Sequence, residues 1–129
     1  MKQYTFTTEK TSDGYSAYYE GSDGGIIGIT GDSVHELKNN ALEALNATLE
    51  YQGKKTVAEN NIVLAFDLKQ FFEYYKEINV KQLAGRITIN RALLSQYING
   101  TKKPSRSQTE KILTGVKALG KELAEADFI

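Results

Sequence analysis

The sequence predicts an α+β fold for residues 1–66, in the order β-β-β-α-β, followed by an all-α domain over residues 67–129. Short segments that alternate apolar and polar side chains fill the first half, and apolar residues at helical spacing fill the second. The charge divides at the same point: residues 1–66 carry nine acids and five bases, and residues 67–129 carry seven acids and eleven bases. This asymmetry favours two domains with different partners, one polyanionic and one basic, although the two halves could also neutralise each other within the chain.

Three strands are predicted at the start of the chain, at residues 4–7, 15–19 and 26–30. The segments are rich in tyrosine, threonine and isoleucine, which are good β-formers, and glycine-containing turns at 11–14 and 22–25 separate them. Because the connections are short, we expect a three-stranded antiparallel meander.

A helix and a fourth strand complete the first half. Ser33 and Glu36 have the S-x-x-E spacing of a capping box, and Gly53 is placed to end the helix in a left-handed conformation. The apolar face of this helix is formed by Val34, Leu37, Ala41, Ala44, Leu45, Thr48 and Leu49. The apolar run within 61–66 then predicts a short buried strand, so that a sheet carries one helix on its face.

No pattern in the first half predicts catalysis, a metal site or a cofactor. The chain has no cysteine and a single histidine, His35, and the carboxylates fall mostly in turns or on the outer face of the helix. We therefore expect a protein that is not an enzyme, since no nucleophile–base pair or metal cluster is visible. The tyrosines are either plain sheet formers or, where they face outward beside acids, part of a docking surface.

Four helices are predicted in the second half. The first three span 68–78, 80–87 and 91–98, and each follows a polar residue that can cap it, namely Asp67, Asn79 and Asn90. The last helix would begin at a second capping box, Ser107 with Glu110. Its apolar residues would close the core or form a dimer contact; they are Ile112, Leu113, Val116, Leu119 and Leu123.

The segment 83–100 has the pattern of a helix-turn-helix, which lays its second helix in the DNA major groove. Residues 79–117 carry eight bases and only one acid, whereas an ordinary soluble helical bundle mixes both signs of charge. The predicted DNA-binding residues are Lys81, Gln82, Arg86, Thr88, Asn90, Arg91, Ala92, Ser95, Gln96, Asn99, Lys102, Lys103 and Ser105. Among them Arg91, Ala92, Ser95 and Gln96 would read bases, and Lys81, Arg86, Lys102 and Lys103 would hold the backbone.

Three parts of this segment resemble the Xre/Cro-type helix-turn-helix. They are the pair Leu83-Ala84, the run from Asn90-Arg91 to Leu94-Ser95, and the tail Asn99-Gly100-Thr101-Lys102-Lys103-Pro104-Ser105. Three positions depart from that pattern: Thr88 stands where the family has glycine in the turn, Ile98 replaces an acid, and Val80 replaces a phosphate-holding glutamine.

The first half resembles the HicB antitoxin domain. The resemblance lies in the tyrosine-rich hairpin, in the run 27–33 that leads into the helix, and in the following Ile-Val-Leu strand. The resemblance implies a partial RNase H-like fold and, with the helix-turn-helix behind it, an antitoxin of a type II toxin–antitoxin system. Such a chain neutralises a small basic mRNA-cleaving toxin of the HicA type and, as a homodimer or higher oligomer, represses its own operon. The residues we assign to toxin binding are Tyr15, Tyr18, Glu20, Asp23 and Asp32.

Two other functions stay open at this point. The chain could be a stand-alone transcriptional regulator whose first domain senses a ligand or mediates assembly, or a nuclease with a residual RNase H-like site. No apolar run exceeds the five residues 62–66, so we expect no membrane span, and the polar start of the chain predicts a cytoplasmic protein.

Overall fold

The computed structural model describes residues 2–129, and the chain divides into two compact units, residues 1–70 and 71–129. Within the described residues the fold is α+β, with one mixed four-stranded sheet and five α-helices. The sheet belongs to the first unit and three of the helices belong wholly to the second. No helix among residues 2–129 is long and apolar enough to cross a membrane.

The sheet has the strand order β3-β2-β1-β4. Strands β1 (Tyr4–Lys10), β2 (Tyr15–Glu20) and β3 (Ile26–Gly31) form the predicted antiparallel meander, with Thr7 opposite Tyr18 in the first pair. Strand β4 (Ile62–Phe66) lies parallel to β1 on its other side. A parallel neighbour requires a long crossover connection, and the helix between β3 and β4 supplies it.

Helix α1 (Val34–Tyr51) covers one face of the sheet. The buried side chains of this layer come from alternate strand positions and from one stripe of the helix; they are Tyr4, Phe6, Tyr15, Ala17, Ile62, Leu37, Ala41, Leu45 and Leu49. The helix approaches β3 very closely, because a Cβ at Gly31 would lie 2.7 Å from the backbone nitrogen of Leu37.

The ends of α1 follow the predicted chemistry. The Ser33 hydroxyl accepts a hydrogen bond from the Glu36 backbone nitrogen at 3.1 Å, while the Glu36 carboxylate accepts from the backbone of Asp32 at 3.2 Å. At the other end Gly53 has φ +72, and the Lys54 nitrogen donates to the Leu49 carbonyl. These bonds satisfy backbone groups that a helix end would otherwise leave unpaired.

The other strand positions form the second face of the sheet, which α1 does not cover. We call it the open sheet face, and it consists of Thr5, Thr7, Glu9, Ser16, Tyr18, Glu20, Ile26, Gly28, Thr30, Val63 and Ala65. Most of these residues are exposed, as is usual for an antiparallel sheet with one solvated side.

Helix α2 (Leu68–Tyr74) spans the division between the units and is shorter than the predicted 68–78. Asp67 caps it as expected, since its carboxylate accepts from the Gln70 nitrogen at 3.2 Å. After Tyr74 the chain forms a turn, in which the Ile78 nitrogen donates to the Tyr75 carbonyl. This turn lets Asn79 adopt the extended backbone that it needs to cap the next helix.

The second unit contains α3 (Val80–Ile87), α4 (Arg91–Asn99) and α5 (Arg106–Glu125). Its core is built from one face of each helix and the turn between α3 and α4; the buried members are Leu83, Ala84, Ile87, Ile89, Leu94 and Ile112.

The predicted start of the last helix is wrong. Ser105 caps α5, with its hydroxyl accepting from the Gln108 nitrogen at 3.1 Å, and Ser107 lies inside the first turn. Ser105 has the extended backbone that a cap requires, with φ −66 and ψ 165. Glu110 instead pairs with Arg106 one turn earlier, at 3.4 Å.

Candidate functional site

The N-terminal ends of α3 and α4 are built in the same way. The Asn79 side chain accepts a hydrogen bond from the Gln82 nitrogen, and the Asn90 side chain accepts one from the Leu93 nitrogen, each at 3.1 Å. Both caps were predicted, and both are confirmed. Each helix therefore starts sharply and presents the positive end of its dipole to solvent.

The turn between α3 and α4 fixes the angle at which the two helices meet. Thr88 has φ 58 and ψ 48, the left-handed conformation in which a side chain like that of threonine is rarely found. The Ile89 nitrogen donates to the Ala84 carbonyl at 3.0 Å, and the Ile89 side chain is 8% exposed. The Lys111 ammonium of α5 also donates to the Thr88 carbonyl, at 3.2 Å. A turn held from both sides keeps α4 in one position.

The two helix starts line a single open concavity of about 790 Å³. It is lined by Asn79, Val80, Lys81, Asn90, Arg91, Ala92 and Ser95. The side chains of Lys81, Arg91, Ala92 and Ser95 are exposed, and no acid lines this part of the described surface. Two helix N-termini, an ammonium and a guanidinium on one surface all attract negative charge, which is the chemistry that a phosphate group would require.

The remaining predicted residues of α4 and the following loop flank this concavity in the sequence. Asn99, Lys102 and Lys103 are exposed, and Gly100 ends α4 with φ +80. Gln96 is half-buried, and its carbonyl accepts from the Lys102 nitrogen at 3.1 Å, which ties the loop back to the helix.

Three of the predicted residues already have structural tasks. Gln82 and Asn90 share in the caps of α3 and α4, and the Ser105 hydroxyl caps α5. Gln82 takes part through its backbone nitrogen, and Asn90 and Ser105 through their side chains. Any contact of these residues with a ligand would come in addition to capping.

The structure does not bring Arg86 to the concavity. Its guanidinium pairs with the Glu122 carboxylate of α5, and it borders a different hollow between α3 and α5. The physical reason is helical position: Arg86 directly precedes buried Ile87, the residue of α3 that packs against α5. Sequence spacing alone gave no signal for this ion pair, which joins residues 36 apart.

The first unit presents a second candidate surface on and beside the open sheet face. Tyr18 is 48% exposed and lies near the centre of β2, and Glu20 and Asp32 are also exposed. Asp23 lies in the turn before β3, where its carboxylate accepts from the Gly25 nitrogen at 2.9 Å.

Tyr15 does not belong to this second surface, so its prediction as a partner contact is wrong. Its side chain is 3% exposed and packs in the layer between the sheet and α1. Tyr15 and Tyr18 are three residues apart on one strand, and strand residues separated by an odd number point to opposite faces.

Burial raises the pKa of the Tyr75 hydroxyl above its usual range, and the neighbouring Tyr74 and Glu77 add to this effect. No cluster of three or more histidine, cysteine or carboxylate side chains suitable for a metal ion occurs among residues 2–129.

No known protein family, curated protein or solved structure matches this chain. What it binds is therefore inferred from the chemistry of its two surfaces.

Proposed function

We propose that this chain is a non-enzymatic DNA-binding antitoxin and autorepressor. Its second unit binds operator DNA as a helix-turn-helix, and its first unit, as a partial RNase H-like domain of HicB type, binds a small basic mRNA-cleaving partner of HicA type. One observation carries the proposal: two capped helix starts, Lys81 and Arg91 converge on a single acid-free concavity.

DNA suits this surface for two reasons. The N-terminal turn of α4 carries exposed Arg91, Ala92 and Ser95, which are short or forked side chains able to approach base edges in a major groove. The start of α3 with Lys81 is placed to hold a phosphate, because the dipole and the ammonium both attract negative charge. Lys102 and Lys103 extend the basic surface beyond the end of α4.

The substitution Arg91→Ala tests base reading. We expect it to weaken binding to the operator by roughly 1–3 kcal/mol and to relax specificity at one base position. Fluorescence anisotropy with operator and random duplexes separates the outcomes, and Lys121→Ala, which removes an exposed charge from α5, is the matched control. Equal weakening on both duplexes would show that Arg91 touches only phosphate.

The double substitution Lys102→Ala with Lys103→Ala tests the phosphate contacts. Each lysine that neutralises a phosphate contributes about 0.9 to the slope of log affinity against log salt concentration. We therefore expect the slope to fall by about 1 to 2, while binding of the basic partner is unchanged. An unaltered slope would remove this loop from the DNA interface.

A homodimer forms part of the proposal. Helix α4 has nine residues and reads too few base pairs alone, so two copies should bind half-sites about 34 Å apart or a multiple of that distance. The apolar stripe of α5 formed by Val116, Leu119 and Leu123 offers the contact, since Leu123 is 67% exposed. Analytical ultracentrifugation of Leu123→Glu should show a loss of dimer, and an unchanged dimer would exclude this stripe.

Two features support the antitoxin function of the first unit. Residues 1–66 carry a net charge of −4, from nine acids and five bases, which suits a sheath for an RNA-binding protein. Tyr18, Glu20, Asp23 and Asp32 then form the proposed contact set, without Tyr15.

A ligand-sensing regulator is less well supported. The cavity between the β2–β3 turn and the end of α1 measures about 200 Å³. Small-molecule sites commonly measure about 300–1,000 Å³. A second hollow of the first unit, beside Tyr18, measures about 420 Å³ and falls within that range, so the preference for a protein partner rests on exposed Tyr18 and the net charge of −4 of residues 1–66.

A further inference from the structure

The two faces of the sheet differ sharply in what covers them. One is buried under α1, whereas the open sheet face leaves Tyr18 48%, Val63 38% and Ile26 67% exposed. Side chains of this size, exposed together with polar neighbours, are typical of a surface that a partner covers.

Tyr18 is the aromatic centre of the open sheet face. It lies opposite Thr7 on β1 and opposite Gly28 on β3, and the space where Gly28 would carry a Cβ is open. With these neighbours on both sides, about half of the surface of Tyr18 stays exposed, at 48%. Tyrosine in such a position is enriched among residues that dominate binding energy at protein interfaces.

The charge on this face has one sign. Among the described strand residues the open sheet face carries Glu9 and Glu20 and no lysine or arginine, and Asp67 follows β4 directly. A hollow of about 420 Å³ brings Tyr18 together with Glu9 and Asp67. The Glu9 carboxylate accepts a hydrogen bond from the Ser16 hydroxyl at 3.4 Å, and the Asp67 carboxylate accepts one from the Gln70 backbone nitrogen at 3.2 Å. Both of these donors are neutral. An arginine side chain fits such a site, since it stacks on an aromatic ring and pairs with carboxylates.

The outer face of α1 is the competing surface of the first unit. It also carries acids, Glu36, Glu43 and Glu50, but half-buried Lys38 lies between them. Its exposed aromatic residue, Tyr51, lies at the very end of the helix. The acids of α1 therefore surround no central aromatic residue, whereas the open sheet face places Tyr18 beside Glu9 in one hollow.

We infer that the basic partner docks on the open sheet face and places an arginine or lysine side chain in the hollow formed by Tyr18, Glu9 and Asp67. This rests on the proposed antitoxin function and adds to it the surface and the chemistry of recognition. The cation would lie against the Tyr18 ring, with the carboxylates of Glu9 and Asp67 neutralising its charge.

The test measures binding of the full chain to the small basic protein encoded by the adjacent reading frame, by isothermal titration calorimetry. Tyr18→Ala and Glu9→Lys change the open sheet face. Tyr51→Ala and Glu43→Lys make the same chemical changes on α1, at residues that are likewise exposed. Circular dichroism of each variant shows that it is folded.

We expect Tyr18→Ala and Glu9→Lys each to weaken binding by about 30-fold or more, the size of an interface hot spot, while the α1 variants bind as the wild type does. If the wild-type chain binds, and Glu43→Lys weakens this binding whereas Glu9→Lys does not, the docking surface is overturned and the antitoxin proposal stands. No binding by the wild-type chain would refute the antitoxin proposal itself, and the docking surface with it.

Discussion

Gly115 of α5 lies where α5 packs most closely against α3, so replacing it with alanine tests how the second unit is held together. A Cβ at Gly115 would lie 2.0 Å from Ile87 Cγ2, 3.3 Å from Ile87 Cβ and 4.0 Å from Leu83 Cδ1. The first distance is far shorter than any contact between two carbon atoms that are not bonded to each other. Ile87 is β-branched and helical, and therefore stiff at χ1, so its methyl group cannot swing away without straining α3.

Two opposing terms set the size of the effect. Extra carbon in a packed core costs about 1–3 kcal/mol, whereas alanine in place of glycine inside a helix gains about 1 kcal/mol. We therefore expect Gly115→Ala to be neutral to destabilising, by about 0–2 kcal/mol.

Gly120→Ala on the same helix separates these terms. Apart from the backbone of its own helix and its chain neighbours, nothing lies within 4 Å of a Cβ at Gly120, so this substitution should gain the full helix propensity, about 1 kcal/mol. The difference between the two variants then equals the steric cost alone, about 1–3 kcal/mol. Urea unfolding followed by far-UV circular dichroism measures this difference from the midpoints at constant slope. Equal shifts for both variants would refute the packing of Gly115 against Ile87.

Other changes follow from single residues. Thr88→Gly should stabilise the chain by about 0–1.5 kcal/mol, because a left-handed threonine costs about 1–2 kcal/mol and glycine loses about 0.5–1 kcal/mol in entropy; a lower melting temperature would contradict this reasoning. The raised pKa of the Tyr75 hydroxyl means that the unfolded chain deprotonates first, so stability should fall as the pH rises above about 10. Tyr75→Phe should reduce that fall in an alkaline series of urea unfolding curves, and an identical pH dependence would show that another group causes it. Gly31→Ala should destabilise by about 2 kcal/mol or more, since its Cβ would lie 2.9 Å from Leu37 Cα and backbone cannot move aside; a wild-type midpoint would exclude that close approach.

Local chemistry made much of the fold predictable from sequence. Asn79 and Asn90 cap their helices as their position before an apolar helical pattern predicts, and Gly53 and Gly100 end theirs with positive φ. These signals act over a few residues, so a sequence contains all the information that they need. The cap at Asn79 fixes the start of α3, and the apolar run at 62–66 fixes the bounds of β4.

Features that depend on distant residues were beyond sequence reasoning. The pairing of Arg86 with Glu122 and the place of β4 beside β1 join residues far apart in the chain. The start of α5 is not predictable from residue type, because Ser105 and Ser107 are both good caps and only the extended backbone at Ser105 decides between them. Tyr15 is predictable from strand alternation, because it lies an odd number of residues from exposed Tyr18 and therefore faces the buried layer.

Co-purification tests the central claim, that one chain combines a DNA-binding unit with a unit that binds a basic partner. The full chain would be expressed with its neighbouring reading frame, with an affinity tag on this chain alone. We predict recovery of a small basic protein in complex with it, one that arrests growth when expressed by itself. Recovery of this chain alone, still bound to its own promoter DNA, would contradict the antitoxin function and leave a DNA-binding regulator.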